Sequence, residues 1–145
     1  MKSGLFVVCA CLFLASCASS PVRLQDALTV PASNTYAPEI FVASSDKGQV
    51  VLVRDSGVGG KCALGVYLDG KLVGAIERKQ KMVMYVTPGA HILGAGPNPK
   101  GGGVCNWFSD QLRREVSVNA TTSHASIFRL AMLKGEVSIM PTAFK

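Results

Sequence analysis

The side chains capable of covalent or acid–base chemistry are few in this 145-residue chain: five cysteines, two histidines and nine carboxylates. A thiol can accept a lipid, pair with a second thiol, bind a metal or attack as a nucleophile, and its spacing and compartment decide among these. No Cys-x-x-Cys occurs, and His91 and His124 lack the close pair spacing of a zinc motif. No metal site and no cofactor are therefore expected. A Gly-x-Ser-x-Gly elbow is missing from the sequence, and the carboxylates are scattered, so neither a serine hydrolase nor a glycosidase pair has local support. The stretch from Asp55 to Cys62 faintly matches a phosphate-binding loop. It begins with Asp where Gly is needed, and it places Cys62 where a Ser or Thr would hold magnesium. These features predict that the chain is not an enzyme. His91 is expected to orient the preceding Pro88-Gly89 turn through a backbone hydrogen bond, and His124 to be structural or exposed.

The elements around the cysteines set their fates. Residues 1–16 carry one positive charge, Lys2, then an apolar run over residues 5–15 and small residues before Cys17, the pattern of an export signal. The run is shorter than the ~20 residues that a bilayer-spanning helix needs. Leu14-Ala15-Ser16-Cys17 resembles the bacterial lipobox at all four positions. That resemblance implies a diacylglycerol thioether on Cys17, cleavage just before it, and Cys17 as the new N-terminus. Two or three acyl chains, at ~0.8 kcal/mol per buried methylene, give lasting attachment. Ala18 after the cysteine, in place of an inner-membrane retention aspartate, implies sorting to the outer membrane with the domain in the periplasm.

Cys9 and Cys11 then leave with the signal, and Cys62 and Cys105 are the two thiols of the mature chain. An oxidising compartment favours an intramolecular disulfide between them, worth ~4 kcal/mol on the chain-entropy model.

Residues 17–48 hold Ser19-Ser20-Pro21, Pro31-Ala32-Ser33-Asn34 and Ala37-Pro38 without a sustained period, which predicts a flexible tether after the lipid. The other reading is that this segment packs along the domain, and residues 39–44 could add one strand. From residue 49 to 145, short β-rich runs separated by turn residues every eight to twelve positions predict an all-β sandwich or barrel. Strands are expected near 49–54, 63–68, 71–76, 81–86, 90–95, 112–118, 124–133 and 136–140. Asp69-Gly70 supplies the positive φ angles of a type I′ hairpin. Met82, Met84 and Val86 should form one buried stripe. Residues 94–103, rich in Gly and Pro, are expected to be an exposed loop leading to Cys105.

The succession of Gly65-Val66-Tyr67-Leu68-Asp69-Gly70-Lys71-Leu72-Val73-Gly74 and Val86-Thr87-Pro88-Gly89-Ala90-His91-Ile92-Leu93 resembles PEGA-type domains and PEGA-like small bacterial lipoproteins of unknown function. The resemblance spans about residues 50–140 and implies a single small Ig-like/PEGA-like β-sandwich, here of about seven to eight strands. The chain departs from the pattern in having no literal Pro-Glu-Gly-Ala, in Gly101-Gly102-Gly103, and in Cys62 and Cys105.

The formal charge is +6, and of 15 basic residues Lys2 lies in the signal, so 14 stay with the mature chain against 9 acidic ones. The only dense basic runs are Arg78-Lys79-Gln80-Lys81 and Arg113-Arg114, without the interleaved aromatics of a nucleic-acid footprint. Nucleic acid is not an expected partner, whereas anionic lipid head groups or cell-wall polymers fit such an excess. The expected function is that of a membrane-anchored, non-enzymatic module that binds an envelope protein or peptidoglycan-like polymer. Trp107 and Phe108 are candidate aromatic anchors, or else core residues. The alternatives are a structural accessory of an envelope assembly and a small envelope hydrolase using His91.

Overall fold

A run of four apolar residues, Val50 to Val53, can be buried only in a strand covered on both faces, and it forms the centre of the molecule. The computed structural model describes residues 19–57, 61–102, 112–133 and 136–143. Among them lie nine strands: β1 (Leu28–Thr29), β2 (Gly48–Arg54), β3 (Leu64–Leu68), β4 (Lys71–Ile76), β5 (Gln80–Val86), β6 (Gly89–Gly96), β7 (Arg114–Ala120), β8 (Ser126–Leu133) and β9 (Glu136–Pro141). They make two sheets, ordered β1-β5-β2-β8-β9 and β4-β3-β6-β7. The first sheet is mixed, because β2 runs antiparallel to β5 but parallel to β8, and β1 parallel to β5. Every pair in the second is antiparallel.

Alternate residues of the two sheets meet in one core that includes Val50, Leu52, Met82, Met84, Phe128 and Leu130 from the first sheet and Val66, Ile76, Leu93 and Val118 from the second. The expected Met82, Met84, Val86 stripe lies there. Asp69 and Gly70 take φ of 50° and 79°, so the β3–β4 turn adopts the positive φ angles that its Asp-Gly pair favours.

The flexible tether expected for residues 17–48 is corrected for the described part of that segment. Ser20 bridges to Ser56, and Val22, Leu24 and Ala27 pack on the outer face of the first sheet against Val51 and Val53. Residues 28–29 then add β1 to that sheet. Covering this face removes apolar area from water at roughly 25 cal/mol per Å2, which a free tether would leave exposed. The strand considered for residues 39–44 is instead a 3-10 turn over Pro38–Phe41. An earlier 3-10 turn, Ala32–Asn34, carries the chain from β1 to the edge of β4, where Thr35 bridges Gly74 and the Tyr36 amide donates to the Val73 carbonyl at 2.8 Å.

The loop expected over residues 94–103 begins later. β6 runs on to Gly96, with Gly96 opposite Gly65 on β3. Glycines persist in these strands because neighbours come close: a Cβ on Gly65 would stand 2.7 Å from the Pro97 carbonyl oxygen.

The expected Cys62–Cys105 bridge lies partly outside the described residues. No Sγ–Sγ pair at bonding distance occurs among the described residues. Cys62 itself is disulfide-bonded and not a free thiol, but Cys105 lies outside the described residues, as do Cys9, Cys11, Cys17, Trp107 and Phe108. No helix among the described residues is long and apolar enough to cross a membrane.

The crossing of the 3-10 turn over β4 leaves no space at Gly74, where a Cβ would meet both the Asn34 carbonyl oxygen and Met82 Cε at 2.7 Å. Gly74→Ala is therefore expected to lower stability by about 1–3 kcal/mol through overpacking. A urea denaturation midpoint equal to that of the parent would show that the crossing yields freely.

Candidate functional site

At the end of β2 the chain buries charge on both faces of one sheet. Arg54 follows Leu52 in the inward register, and Asp55, one residue on, points outward. On the outer face Asp55 meets Arg129 of β8. The Arg129 Nε donates to Asp55 Oδ2 at 3.2 Å, and its Nη2 donates to Oδ1. Both side chains are nearly excluded from solvent, at 6% and 8% exposure. The pair also grips the N-terminal strap: the Val22 amide donates to Asp55 Oδ1 at 3.2 Å, and Arg129 Nη2 donates to the Val22 carbonyl at 2.9 Å. One step further, Ser20 and Ser56 exchange backbone hydrogen bonds of 2.6 and 3.1 Å. Such a pair contributes little net stability compared with an apolar substitute, but removing one partner strands a buried charge.

On the inner face the Arg54 side chain is 2% exposed, and its Nη1 donates at 2.8 Å to two carbonyls of the facing sheet's margin, those of Cys62 and Ile76. Arg54 thus ties the two layers together at one end. Its Nη2 has no hydrogen-bond partner among the described residues. Burial, followed by repulsion from Arg78, lowers the guanidinium pKa to about 10, against a smaller opposing pull from Glu77. Arg78 stands in the β4–β5 turn with its Nη1 donating to the Gly57 carbonyl at 3.1 Å. That turn is tight: Lys79 takes φ of 61°, and its amide donates to the Arg54 carbonyl at 3.0 Å.

These residues enclose a cavity of about 10 Å3 lined by Ser19, Arg54, Asp55, Ser56, Gly57, Arg78 and Met132. Ser56 and Arg78 also line a wider recess of about 510 Å3, with Lys61, Glu77 and Lys79. The arrangement therefore places a buried, incompletely bonded guanidinium behind a cationic mouth. It can hold an acceptor-only group.

The second polar constellation joins the two sequence segments singled out above. His91 Nδ1 lies 2.7 Å from Asp69 Oδ2, and Nε2 lies 2.8 Å from the Thr87 carbonyl, while the Ile92 amide donates to Asp69 Oδ1 at 2.9 Å. Both ring nitrogens face acceptors, and only the imidazolium donates at both. Partial burial pushes the His91 pKa down, but the hydrogen bonds it donates to Asp69 and the Thr87 carbonyl, with the Asp69 charge, outweigh it and the net shift is upward. The hydrogen bond from His91, then that from the Ile92 amide, lowers the pKa of Asp69. His91 therefore orients its turn, as its sequence context implied, and its Nε2 is occupied by backbone.

His124 is exposed, with Ser123 Oγ 3.0 Å and Thr121 Oγ1 3.3 Å from its Nδ1. Among the described residues, no group of three or more His, Cys, Asp or Glu side chains is placed to hold a metal. Sequence reading passed over Arg54, Asp55 and Arg129 as site residues. The available signal was the charged pair directly ending an apolar run, together with the basic run at Arg78. No family model, curated protein or solved structure matches the chain.

Two outcomes follow. Asp55→Ala is expected to cost about 3–5 kcal/mol by leaving Arg129 buried and unpaired, and to free residues 20–22 for proteolysis; an unchanged melting curve would contradict the clamp. For His91, the raised folded pKa means that its contribution is complete below the unfolded value of 6.5 and is lost as pH rises through the folded pKa. The Asp69 contribution is present above 3.8 and is lost as pH falls through its lowered folded pKa. An NMR titration should place the His91 midpoint above 6.5 and return it toward that value in Asp69→Asn; the same midpoint in both proteins would refute the pairing.

Proposed function

We propose that this chain is a lipoprotein, anchored in the bacterial outer membrane through acyl chains on Cys17, whose PEGA-like, Ig-like sandwich binds an envelope protein or a cell-wall polymer without turning it over. The observation that carries this reading is the clamp on the N-terminal strap. Ser20 and Val22 are fixed to the sandwich, and Ser20 follows Cys17 by three residues, a length of chain that spans at most about 11 Å. Lipid on Cys17 would hold the domain against the membrane surface with the β2 end nearest to it. The export pattern and lipobox match support the anchor. The PEGA-like assignment is supported by the way the two resembling segments meet: β3 pairs with β6, and Asp69 of one bonds His91 of the other. Occupation of His91 Nε2 by the Thr87 carbonyl supports binding over hydrolysis.

The test is the intact mass of protein extracted from membranes, alongside a Cys17→Ala variant. The parent should fit residues 17–145 plus acyl chains and sediment with membranes. The variant should lose both properties while keeping the parent's thermal midpoint. A membrane-extracted parent without acyl mass would refute the anchor.

A further inference from the structure

The pocket at the end of β2 has a chemistry that the anchored-module reading leaves unused. Arg54 lines it, a residue that is 2% exposed and whose Nη2 is a donor without a partner among the described residues. Its rim is Arg78, with Lys61 and Lys79 in the adjoining recess. Two carboxylates also face it. Asp55 is neutralised by Arg129 and the Val22 amide, which leaves Glu77 as the one anionic side chain of the mouth. Guanidinium and ammonium groups only donate hydrogen bonds.

A water seated between Arg54 and Arg78 would have to find acceptors for its own two hydrogens. Several nearby acceptors already receive hydrogen bonds: Gly57 O from Arg78, Ser20 O from Ser56, and the Asp55 oxygens from Arg129 and Val22. An oxyanion needs no such acceptors. The inner cavity, at about 10 Å3, matches one oxygen atom, and the recess of about 510 Å3, which shares Ser56 and Arg78 with it, has room for the rest of a larger group. A tetrahedral phosphate can set one oxygen against Arg54 while its others reach the rim cations, whereas a planar carboxylate has only two oxygens to divide between depth and rim. Ser19 in the cavity wall is two residues from Cys17 in the chain.

We propose that this pocket binds a phosphate oxyanion, one oxygen on Arg54 Nη2 and the others on Arg78, Lys61 and Lys79, and that its source is an anionic phospholipid headgroup of the leaflet that holds the anchor. The headgroup source rests on the lipid-anchored reading; the oxyanion site does not. Juxtamembrane basic residues each gain about 1 kcal/mol near an anionic surface, and a built pocket adds selectivity for the headgroup to that general attraction.

The experiment uses the mature lipidated protein in a maltoside detergent, titrated calorimetrically with inorganic phosphate and, separately, with short-chain phosphatidylglycerol and short-chain phosphatidylcholine. Phosphate and phosphatidylglycerol are expected to saturate one shared site. Arg78→Ala should weaken both by about tenfold or more, the loss of a charge-assisted hydrogen bond. Lys61→Ala, at an exposed position, should weaken them less, and thermal melts of both variants should match the parent. If phosphate saturates the site and phosphatidylglycerol does not compete, the headgroup assignment is overturned and the ligand is free phosphate. If phosphatidylcholine binds equally well, selectivity for anionic lipid is overturned. No saturation by either phosphate or phosphatidylglycerol, or parental affinity in both folded variants, overturns the oxyanion site. A chain whose mass lacks acyl groups fails the anchor reading alone, because the phosphate titration still decides the pocket.

Discussion

An aspartate and an arginine with less than a tenth of their side-chain surface exposed can persist only if each neutralises the other, and the Asp55–Arg129 pair organises this protein around that requirement. Arg129 lies on β8, registered against Val53 of the parallel strand β2 that Asp55 directly follows, and the pair also bonds the backbone of Val22. The strap is therefore held by charge as well as by apolar contact. It covers Val51 and Val53, makes β2 a strand buried on both faces, and brings Ser19 to the wall of the Arg54 pocket.

Arg54 and Asp55 illustrate how a single strand end can serve two purposes. Their side chains diverge because successive residues of a strand face opposite ways. One ties the two sheets together through the Cys62 and Ile76 carbonyls and the other ties down the strap. The inward arginine bears the larger electrostatic cost, visible in its lowered pKa and its unpartnered Nη2. A group that a stability argument alone would have removed instead points toward ligand chemistry. At the opposite end of β3, Asp69 and His91 hold the hairpin to β6 through charge-assisted bonds that a neutral imidazole could not all supply.

Much of the sandwich was legible in the chain. Period-2 alternation placed Met82, Met84 and Val86 on one buried face, Asp-Gly placed the hairpin, and each of the eight expected strands has an observed counterpart with ends shifted by a few residues. These are local properties, because a strand's facing and a turn's φ angles depend on the residues within it. Reading failed where the decisive neighbour is remote. The strap looked like a tether because its Pro-, Ser- and Asn-rich stretches carry no period, and only the apolar face waiting on β2 and β5 gives it something to bury against. Residues 94–96 looked like loop because the close approach of Arg113 to Gly96, and of Pro97 to Gly65, cannot be seen from composition.

The sequence by itself determined an all-β body, the Asp-Gly hairpin and the buried methionine stripe, because each depends on neighbouring residues. Only the tertiary structure decided which charges are buried and what they meet. Asp55 and Arg129 are 74 residues apart and become partners solely through the parallel pairing of β2 with β8. Whether a charge is buried, paired or open to a ligand depends on which strands lie side by side, and that is settled by the packing of the whole fold.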